Sequence, residues 1–544
     1  MIRRRFLLAG VLLTLFGVGW WAGRGLSAGR NDLYQNLDVF VEVVQRVEQA
    51  YVDPVDAGKL MDGALRGLTR SLDPYSQYLD AKGYEDLEVT THGKFGGVGL
   101  VVSVRDGWPV VVSPIEGGPA WSLGIQTGDV ISAIDGKSTT GLTLEEVAVR
   151  LRGDPGTKVQ ITIHRDGGDR DQDFTIERKV ITTKAVPYAF VLPGGVGYLR
   201  LADFSEDAAT EVRGAIARLR GQGATRLLLD LRSNPGGLLE QAVGVVEQLV
   251  PSKTLVVYTR GRMKGSDRQY LAAGTRPETG WPVVVLVDRG TASASEIVAG
   301  ALQDLDRGLI VGETSFGKGL VQSVFPLRGR GALKLTTARY YTPSGRCINS
   351  LATERRLDSL ATAADEEDDT EDGSNATPDT TGAQMFHTVS GRPVFGGGGI
   401  RPDVVVPADT LPPLARALEL RGLPFRFANH WVTTHPAWRA GTGPDDELWR
   451  AFHAAADSVQ VPGDPGAWER ERPVVERALR REIARRQGGD AAAARVALED
   501  DPVVGRALQV LGRSQKAHDV FALATEPPSR SPRPASTGRV TEHR

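Results

Sequence analysis

The sequence predicts an α/β protein whose core is preceded by a small β-rich module and flanked by helical segments. Between about residues 180 and 345, continuous apolar strands such as Leu227–Leu231 and Val283–Val287 alternate with helices. This alternation is typical of a buried, largely parallel sheet. Residues 94–165 are instead short β-branched runs between Gly and Asp turns, and residues 411–525 are mostly helical in pattern.

The composition is that of a globular protein. Of the 544 residues, 41% are hydrophobic and 24% are charged, which excludes wholesale disorder and a multi-span membrane protein. The net charge of −2 gives no reason to expect a nucleic-acid partner. A single cysteine excludes an intrachain disulfide and a thiolate zinc cluster. Glycine is in excess, with 64 residues, and we expect it in special turns.

The N-terminus resembles an export signal or a membrane anchor. Three arginines at positions 3–5 precede an apolar run over residues 6–22. Residues 26–28 fit a cleavage site poorly and Trp20 and Trp21 suit a membrane interface, which favours an uncleaved anchor over a cleaved signal peptide. A twin-arginine signal stays open. Each of these export interpretations places the rest of the chain on the extracytoplasmic side, in a periplasm or cell envelope.

Pattern and composition give the following order of segments. Residues 365–372 hold seven acids in eight positions, which predicts a disordered surface insertion, with an acidic docking site as the alternative. The predicted segments are a signal peptide or anchor at 1–30, an N-terminal helical region at 31–92, the β-rich module at 93–168, the α/β core at 169–410 with the acidic insertion at 363–384, a helical extension at 411–525, and a disordered tail at 526–544.

Three glycine-bearing turns follow strands of the predicted core, at residues 230–237, 289–297 and 312–322. In the first, a tight turn between a strand and a helix leaves backbone N–H groups that suit an anion, although an ordinary βα turn is the alternative. In the second, Ser293 lies just before a helix, where the helix dipole stabilises negative charge. Ser293 is a candidate nucleophile, and helix capping is the alternative.

The third turn nearly matches a phosphate-binding loop, but Gly319 stands where that loop needs Ser or Thr for magnesium, so we reject nucleotide binding. The core has no histidine between His164 and His387, so the base for Ser293 would be a lysine. A lysine base must be neutral, which requires a pKa below the usual 10.4 or so. Lys318 lies between two glycines in this turn. Gln322 lies four residues after Lys318, on the same strand face as Leu320, and could hydrogen-bond the amine and orient it.

Taken together, the three turns resemble the carboxy-terminal processing proteases, also called tail-specific proteases. The resemblance covers about residues 35–410, and the acidic insertion and the helical extension depart from it. The stretches that match in order and spacing are Asp230–Gly237 (DLRSNPGG), Thr291–Leu302 (TASASEIVAGAL), Gly312–Gln322 (GETSFGKGLVQ), Asp73–Leu79 (DPYSQYL), Gly93–Gly99 (GKFGGVG) and Tyr340–Ile348 (YYTPSGRCI).

The resemblance implies a ClpP- and crotonase-like βαβ protease core with an inserted PDZ domain. It implies a Ser-Lys endopeptidase in which Ser293 is the nucleophile, Lys318 the base and Gln322 the third member. The amides of Gly236 and Ala294 would form the oxyanion hole. No metal and no organic cofactor is implied.

The β-rich module would then be the PDZ domain. Its carboxylate-binding loop would be Gly96-Gly97-Val98-Gly99-Leu100, and the substrate's C-terminal tail would add as a strand beside Leu100–Val104, against a helix at 143–152. A simple hairpin bend is the alternative for this loop. Arg152, at the end of that helix, either couples the PDZ domain to the core or caps the helix.

The sequence therefore predicts a serine endopeptidase that cleaves near the C-termini of exported proteins. A non-catalytic PDZ scaffold or chaperone and a crotonase-like acyl enzyme are the alternatives. The expected partners are protein tails and, through the N-terminal segment, a membrane, with no nucleic acid. The helices at 32–72 and 411–525 would form either a homodimer interface or an intramolecular cap.

Overall fold

A computed structural model describes residues 34–165, 170–274, 277–278, 280–349, 384–438, 446–457 and 466–524. The predicted anchor, the acids at 365–372 and the tail at 526–544 lie outside these residues. Within the described ranges, no helix is long and apolar enough to cross a membrane. The chain divides into two compact units, one containing Met1–Tyr84 with Ser323–Leu335, the other Glu85–Gln322 with Thr336–Arg544.

The first unit contains two predicted helices, α1 over residues 34–50 and α2 at Ala57–Arg70. Helix α2 begins where the Asp56 carboxylate accepts the N–H groups of Gly58 and Lys59. A short strand, β1 at Gln77–Leu79, pairs antiparallel with residues 332–334. Helix α3, Ala81–His92, begins in this unit.

The β-rich module, the predicted PDZ domain, is a small antiparallel sheet with two helices. Its apolar core includes Val111, Ile131, Ile161 and Ile163, which are inaccessible to solvent. The module begins after strand β2, Lys94–Gly97, and ends before strand β9, Lys179–Thr182. These two strands pair antiparallel. The elements between them are β3 Leu100–Arg105, β4 Trp108–Pro114, α4 Pro119–Ser122, β5 Val130–Ile134, β6 Lys137–Ser138, α5 Leu144–Leu151, β7 Lys158–His164 and β8 Gln172–Glu177.

The strand order in this sheet is β3-β4-β5-β7-β8, with β6 paired to β5. Because β8 belongs to the sheet, the module extends beyond the boundary at 168 that the sequence suggested. Helix α5 lies within the predicted 143–152 span and starts with a capping box between Thr143 and Glu146. Strand β3 ends the sheet, so one of its edges is available for an added strand.

The core is the predicted, largely parallel sheet. Its strand order is β10-β11-β12-β15-β16-β21, and every neighbouring pair is parallel except β10 with β11. The strands are β10 Ala189–Leu192, β11 Val196–Arg200, β12 Arg226–Asp230, β15 Val283–Val287, β16 Leu309–Gly312 and β21 Val404–Val405. Its helices are α6 Ala208–Gly221, α7 Leu239–Val246 and α8 Ala294–Asp304. The other core strands are β13 Leu255–Gly261, β14 Arg268–Leu271, β17 Leu320–Pro326, β18 Ala332–Tyr341, β19 Met385–His387 and β20 Pro393–Phe395.

Helices α6, α7 and α8 pack against one face of this sheet, and the helical extension packs against the opposite face. Its helices are α9 Pro413–Leu420, α10 Leu423–Thr434, α11 Asp446–Asp457, α12 Ala467–Leu498, α13 Pro502–Arg513 and α14 Asp519–Ala524. Val504 and Leu511 of α13 pack with Leu228, Val284 and Val311 of the sheet. This part of the extension is therefore an intramolecular cover, and a homodimer stays a prediction.

The extension also contacts the PDZ module. The guanidinium of Arg105 lies 4.0 Å from the centroid of the Phe425 ring. Next to this contact, Arg426 forms an ion pair with Asp106. The first half of the extension therefore touches the hairpin between β3 and β4.

Candidate active site

Ser293 lies at a strained turn between strand β15 and helix α8. Strand β15 is buried along its whole length, so the chain emerges from the sheet at this point. Ser293 has φ 56° and ψ −115°, a conformation that costs a non-glycine residue about 1–3 kcal/mol. A serine on such a strand-to-helix turn is the geometry that presents a nucleophile. The hydroxyl of the nearby Ser295 donates to the Asn234 carbonyl at 3.0 Å.

Glu296 joins the Ser293 turn to the Lys318 turn. Its side chain is inaccessible to solvent. One carboxylate oxygen accepts the N–H of Ser293 at 2.8 Å and the N–H of Lys318 at 2.9 Å. The other accepts the N–H of Gly317 at 2.7 Å and the hydroxyl of Ser315 at 2.5 Å. Burial raises the pKa of Glu296 against the opposing effect of these four donors.

Lys318 and Gln322 meet as the sequence predicted. The side-chain nitrogen of Lys318, Nζ, lies 3.1 Å from Oε1 of Gln322. The backbone of the lysine turn packs closely against a second glycine-containing loop. A Cβ on Gly317 would lie only 3.0 Å from the backbone nitrogen of Gly399. The hydroxyl of Tyr340 lies within hydrogen-bonding distance of the carbonyl oxygens of both Ser293 and Lys318.

The predicted oxyanion residues lie beside Ser293. A Cβ on Gly236, which has φ +101°, would lie 2.8 Å from the Ser293 Cβ and 2.9 Å from the Ala294 nitrogen. Ala294 is the first residue of α8, so its N–H has no acceptor within the helix. The N–H of Gly236, however, donates to Asn234 Oδ1 at 2.9 Å. Its role as an oxyanion donor requires this bond to be exchanged for one to the substrate, and it stays a prediction.

The predicted carboxylate loop of the PDZ module is partly strand. Gly96 and Gly97 belong to β2 and pair with Val180 and Lys179 of β9. The loop itself is Val98–Gly99, and their carbonyls accept the N–H groups of Ala120 and Ile115 at 3.0 Å and 2.9 Å. Strand β3 starts at Leu100, directly after this loop. The structure thus places the loop at the start of the end strand, where the sequence placed it.

Arg152 is the residue that ends helix α5, and its N–H donates to the Ala148 carbonyl. Its guanidinium forms a 3.0 Å ion pair with Asp86 of α3 and lies 5.2 Å from the centroid of the Phe95 ring. Arg152 therefore contacts both the entry strand of the PDZ module and α3. A coupling role for it stays a prediction.

Comparisons with known proteins identify the family of the chain. Residues 195–355 match peptidase family S41, residues 110–165 match a PDZ domain, and residues 25–83 match the N-terminal domain of the activating protease CtpB. A carboxy-terminal-processing protease of Bartonella bacilliformis is 42% identical over 64% of this chain and 81% of its own. The chain belongs to peptidase family S41, the carboxy-terminal processing proteases.

Further S41 relatives resemble the same part of the chain. The carboxy-terminal processing protease CtpA of Bacillus subtilis is 35% identical over 62% of this chain and 72% of its own. Among solved structures, a photosystem II D1 C-terminal processing protease is 35% identical, with 57% of this chain and 89% of that chain covered, at a TM-score of 0.33. The family assignment makes the protein a peptide hydrolase with a PDZ domain, as the sequence predicted.

Sequence reasoning missed three side chains that hold this S41 site together: Glu296, Tyr340 and Asn234. Glu296 carried a usable signal, since a glutamate three residues after a serine at a helix start is a capping-box pattern. Tyr340 lies in a stretch that matches the family, but its contacts join three separate segments of the chain. Asn234 lies in the NPGG turn, and its signal was local, because an Asn side-chain oxygen commonly accepts the N–H two residues later in the chain, as it does here from Gly236.

Proposed function

We propose that this S41 protein is a serine endopeptidase in which Ser293 attacks the peptide bond and neutral Lys318 takes its proton. One observation carries the proposal: a single carboxylate oxygen of Glu296 binds the amides of both residues, and Ser293 is the strained residue of the pair. Gln322 Oε1, at 3.1 Å from Nζ, would orient the amine. Ser-Lys pairs are an established alternative to a histidine base.

The reaction would proceed in two halves. Ser293 Oγ bonds to the scissile carbonyl carbon while its proton passes to Lys318 Nζ, and the amides of Ala294 and Gly236 stabilise the resulting oxyanion. The C–N bond then breaks, the leaving amine takes the proton from Lys318, and the acyl group stays on Ser293 as an ester. Water attacks this ester while one of its protons passes to Lys318 Nζ. The C–Oγ bond then breaks, Ser293 Oγ takes that proton from Lys318, and the acid is released with Lys318 neutral again.

The PDZ domain would select substrates by their free C-terminus. The terminal carboxylate would bind the Val98–Gly99 loop, and the tail would add to the edge of β3. Leu100 and Val102 of β3 pack against the cluster that contains Val147 and Leu151 of α5, so the adjoining groove suits apolar terminal residues. The basic and apolar N-terminal segment supports exported proteins as the substrates.

The test of the dyad is cleavage of an unstructured protein with an apolar C-terminal tail. Ser293→Ala and Lys318→Ala should each lower kcat by at least about 10³-fold. Ser252→Ala and Lys264→Ala, at exposed positions, are the matched controls and should keep wild-type rates. Near-normal cleavage by either site variant would refute the dyad.

A second experiment tests substrate recognition separately. The same substrate with an amidated C-terminus should be cleaved much more slowly, because the amide removes the charge that the loop binds. Equal rates for acid and amide would refute recognition of the carboxylate and leave the dyad intact. Protease protection of the chain in intact cells, read before and after the envelope is opened, tests the proposed location.

A further inference from the structure

Tyr340 contacts both Ser293 and Lys318, the two members of the proposed catalytic pair. Neither its position in the sequence nor its residue type predicts these contacts. It lies on β18 and only 1% of its surface is exposed. Its hydroxyl oxygen lies 3.0 Å from the Ser293 carbonyl oxygen and close to that of Lys318. Its own N–H donates to the Gly319 carbonyl at 3.0 Å, which fixes the ring beside the lysine turn.

The contact with Ser293 has a direct consequence for the oxyanion site. The carbonyl of Ser293 and the N–H of Ala294 belong to one peptide group, and in a planar trans peptide these two bonds point in opposite directions. A donor that holds the Ser293 oxygen therefore aims the Ala294 N–H away from Tyr340. Because a hydrogen bond to a carbonyl also polarises its peptide, the same donor makes that N–H a stronger donor.

The Ser293 oxygen already accepts the N–H groups of Glu296 at 2.9 Å and Ile297 at 3.0 Å, as expected at the start of α8. Tyr340 adds a third donor from outside the helix. Its single hydroxyl proton is shared between two carbonyls, so a shift of either turn alone weakens one of the two hydrogen bonds. The phenol therefore couples the Ser293 peptide to the Lys318 peptide.

We propose that Tyr340 is a positioning residue, whose hydroxyl aims the Ala294 N–H at the oxyanion and holds Lys318 at a fixed separation from Ser293. This inference rests on the proposed Ser-Lys function. It adds that the oxyanion donor and the base are aligned by one shared hydrogen-bond donor. Glu296 makes the corresponding link through the N–H groups of the same two residues.

The test replaces the hydroxyl and keeps the ring. Tyr340→Phe should lower kcat by about 10²-fold, the loss expected from a displacement of roughly 1 Å at reacting groups, with KM within about twofold of wild type. The inhibition constant of a peptide aldehyde, which forms a tetrahedral adduct with a serine, should rise by the same factor as kcat/KM falls. Tyr341→Phe, on the neighbouring residue whose ring stacks on Tyr258, is the matched control and should leave both constants unchanged.

A second replacement separates donation from shape. Tyr340→p-aminophenylalanine restores an N–H donor and should recover most of the lost rate, whereas Tyr340→p-fluorophenylalanine fills the site without donating and should not. This pair also decides the matter if the phenylalanine variant does not fold. A wild-type kcat in either non-donating variant, or equal rates in the amino and fluoro variants, would overturn the proposal. Active Ser293→Ala or Lys318→Ala would instead overturn the dyad itself.

Discussion

The buried carboxylate of Glu296 gives the sharpest prediction about how the Ser293 and Lys318 turns are held together. Replacing it with alanine leaves three main-chain amides, those of Ser293, Gly317 and Lys318, without their acceptor. Each buried donor left unpaired costs about 1–3 kcal/mol, so Glu296→Ala should cost about 3–9 kcal/mol in the free energy of unfolding. That approaches the whole stability of a typical domain, about 5–15 kcal/mol.

Glu296→Gln should cost far less. Glutamine keeps one acceptor oxygen, and its new amide group can face Ser315, whose hydroxyl oxygen has lone pairs to accept from it. In this orientation the remaining oxygen still accepts the N–H groups of Ser293 and Lys318. Of the three main-chain amides only that of Gly317 loses its acceptor, at an expected cost of about 1–3 kcal/mol, and the Ser315 hydroxyl must turn its proton away from residue 296.

The two variants should also separate in reactivity. The measurements are urea unfolding followed by pulse proteolysis and the rate at which a fluorophosphonate labels Ser293. Glu296→Gln should label within about tenfold of wild type and Glu296→Ala at least about 10²-fold more slowly. Glu313→Ala, which removes a carboxylate that pairs with exposed Arg289, is the control and should cost at most about 1 kcal/mol. Wild-type stability and labelling of Glu296→Ala would refute the assignment of Glu296 as the link.

Three further predictions concern the turns and the PDZ module. Gly236→Ala should abolish fluorophosphonate labelling because its Cβ would lie 2.8 Å from that of Ser293, whereas Gly194→Ala, which is equally strained at φ +79° but faces open space, should label normally. Gly99→Ala, at φ +74° in the Val98–Gly99 loop, should weaken binding of a free C-terminal peptide at least about tenfold by titration, and an unchanged Kd would contradict the assigned loop. Although burial alone would raise it, the paired guanidinium of Arg232 holds the pKa of Asp230 below its usual value, so stability that is present above about pH 4 should be lost as the pH falls through the lower native pKa. Acid unfolding of Asp230→Asn, followed by circular dichroism, should lack this component, and an identical acid transition would contradict it.

The local sequence pattern was enough to predict those strands and helices that have one strong feature, such as a continuous apolar run. The continuous apolar run at Val283–Val287 is a buried parallel strand, and the helix after Ser293 starts within one residue of its predicted position. Strand β8 was missed because the sequence around it is rich in charge and glycine, so its alternation is weak. It is a strand because β7 pairs with it in register, which is a tertiary cause.

The candidate site divides in the same way. Ser293 and Lys318 could be named as candidates from residue type, turn chemistry and the absence of histidine from the core, and the resemblance of the three turns to the processing proteases selected them. The bond from the Gly236 N–H to Asn234 Oδ1, at 2.9 Å, joins residues only two apart and is a local turn pattern, but the turn was interpreted only as an anion site. The link through Tyr340 depends on β18 and the lysine turn meeting in space, which no window of sequence contains.

The cover that helix α13 places on the core sheet has a consequence for how the protein is made. The face formed by Leu228, Val284 and Val311 is closed by residues of α13 and by Val520. Roughly 200 residues separate the last of these strands from α14, so a ribosome working at about 5–20 residues per second exposes the uncovered face for about 10–40 s. We therefore expect this apolar face of the core to stay exposed to solvent during that interval, and a chain that ends before α13 to leave it uncovered.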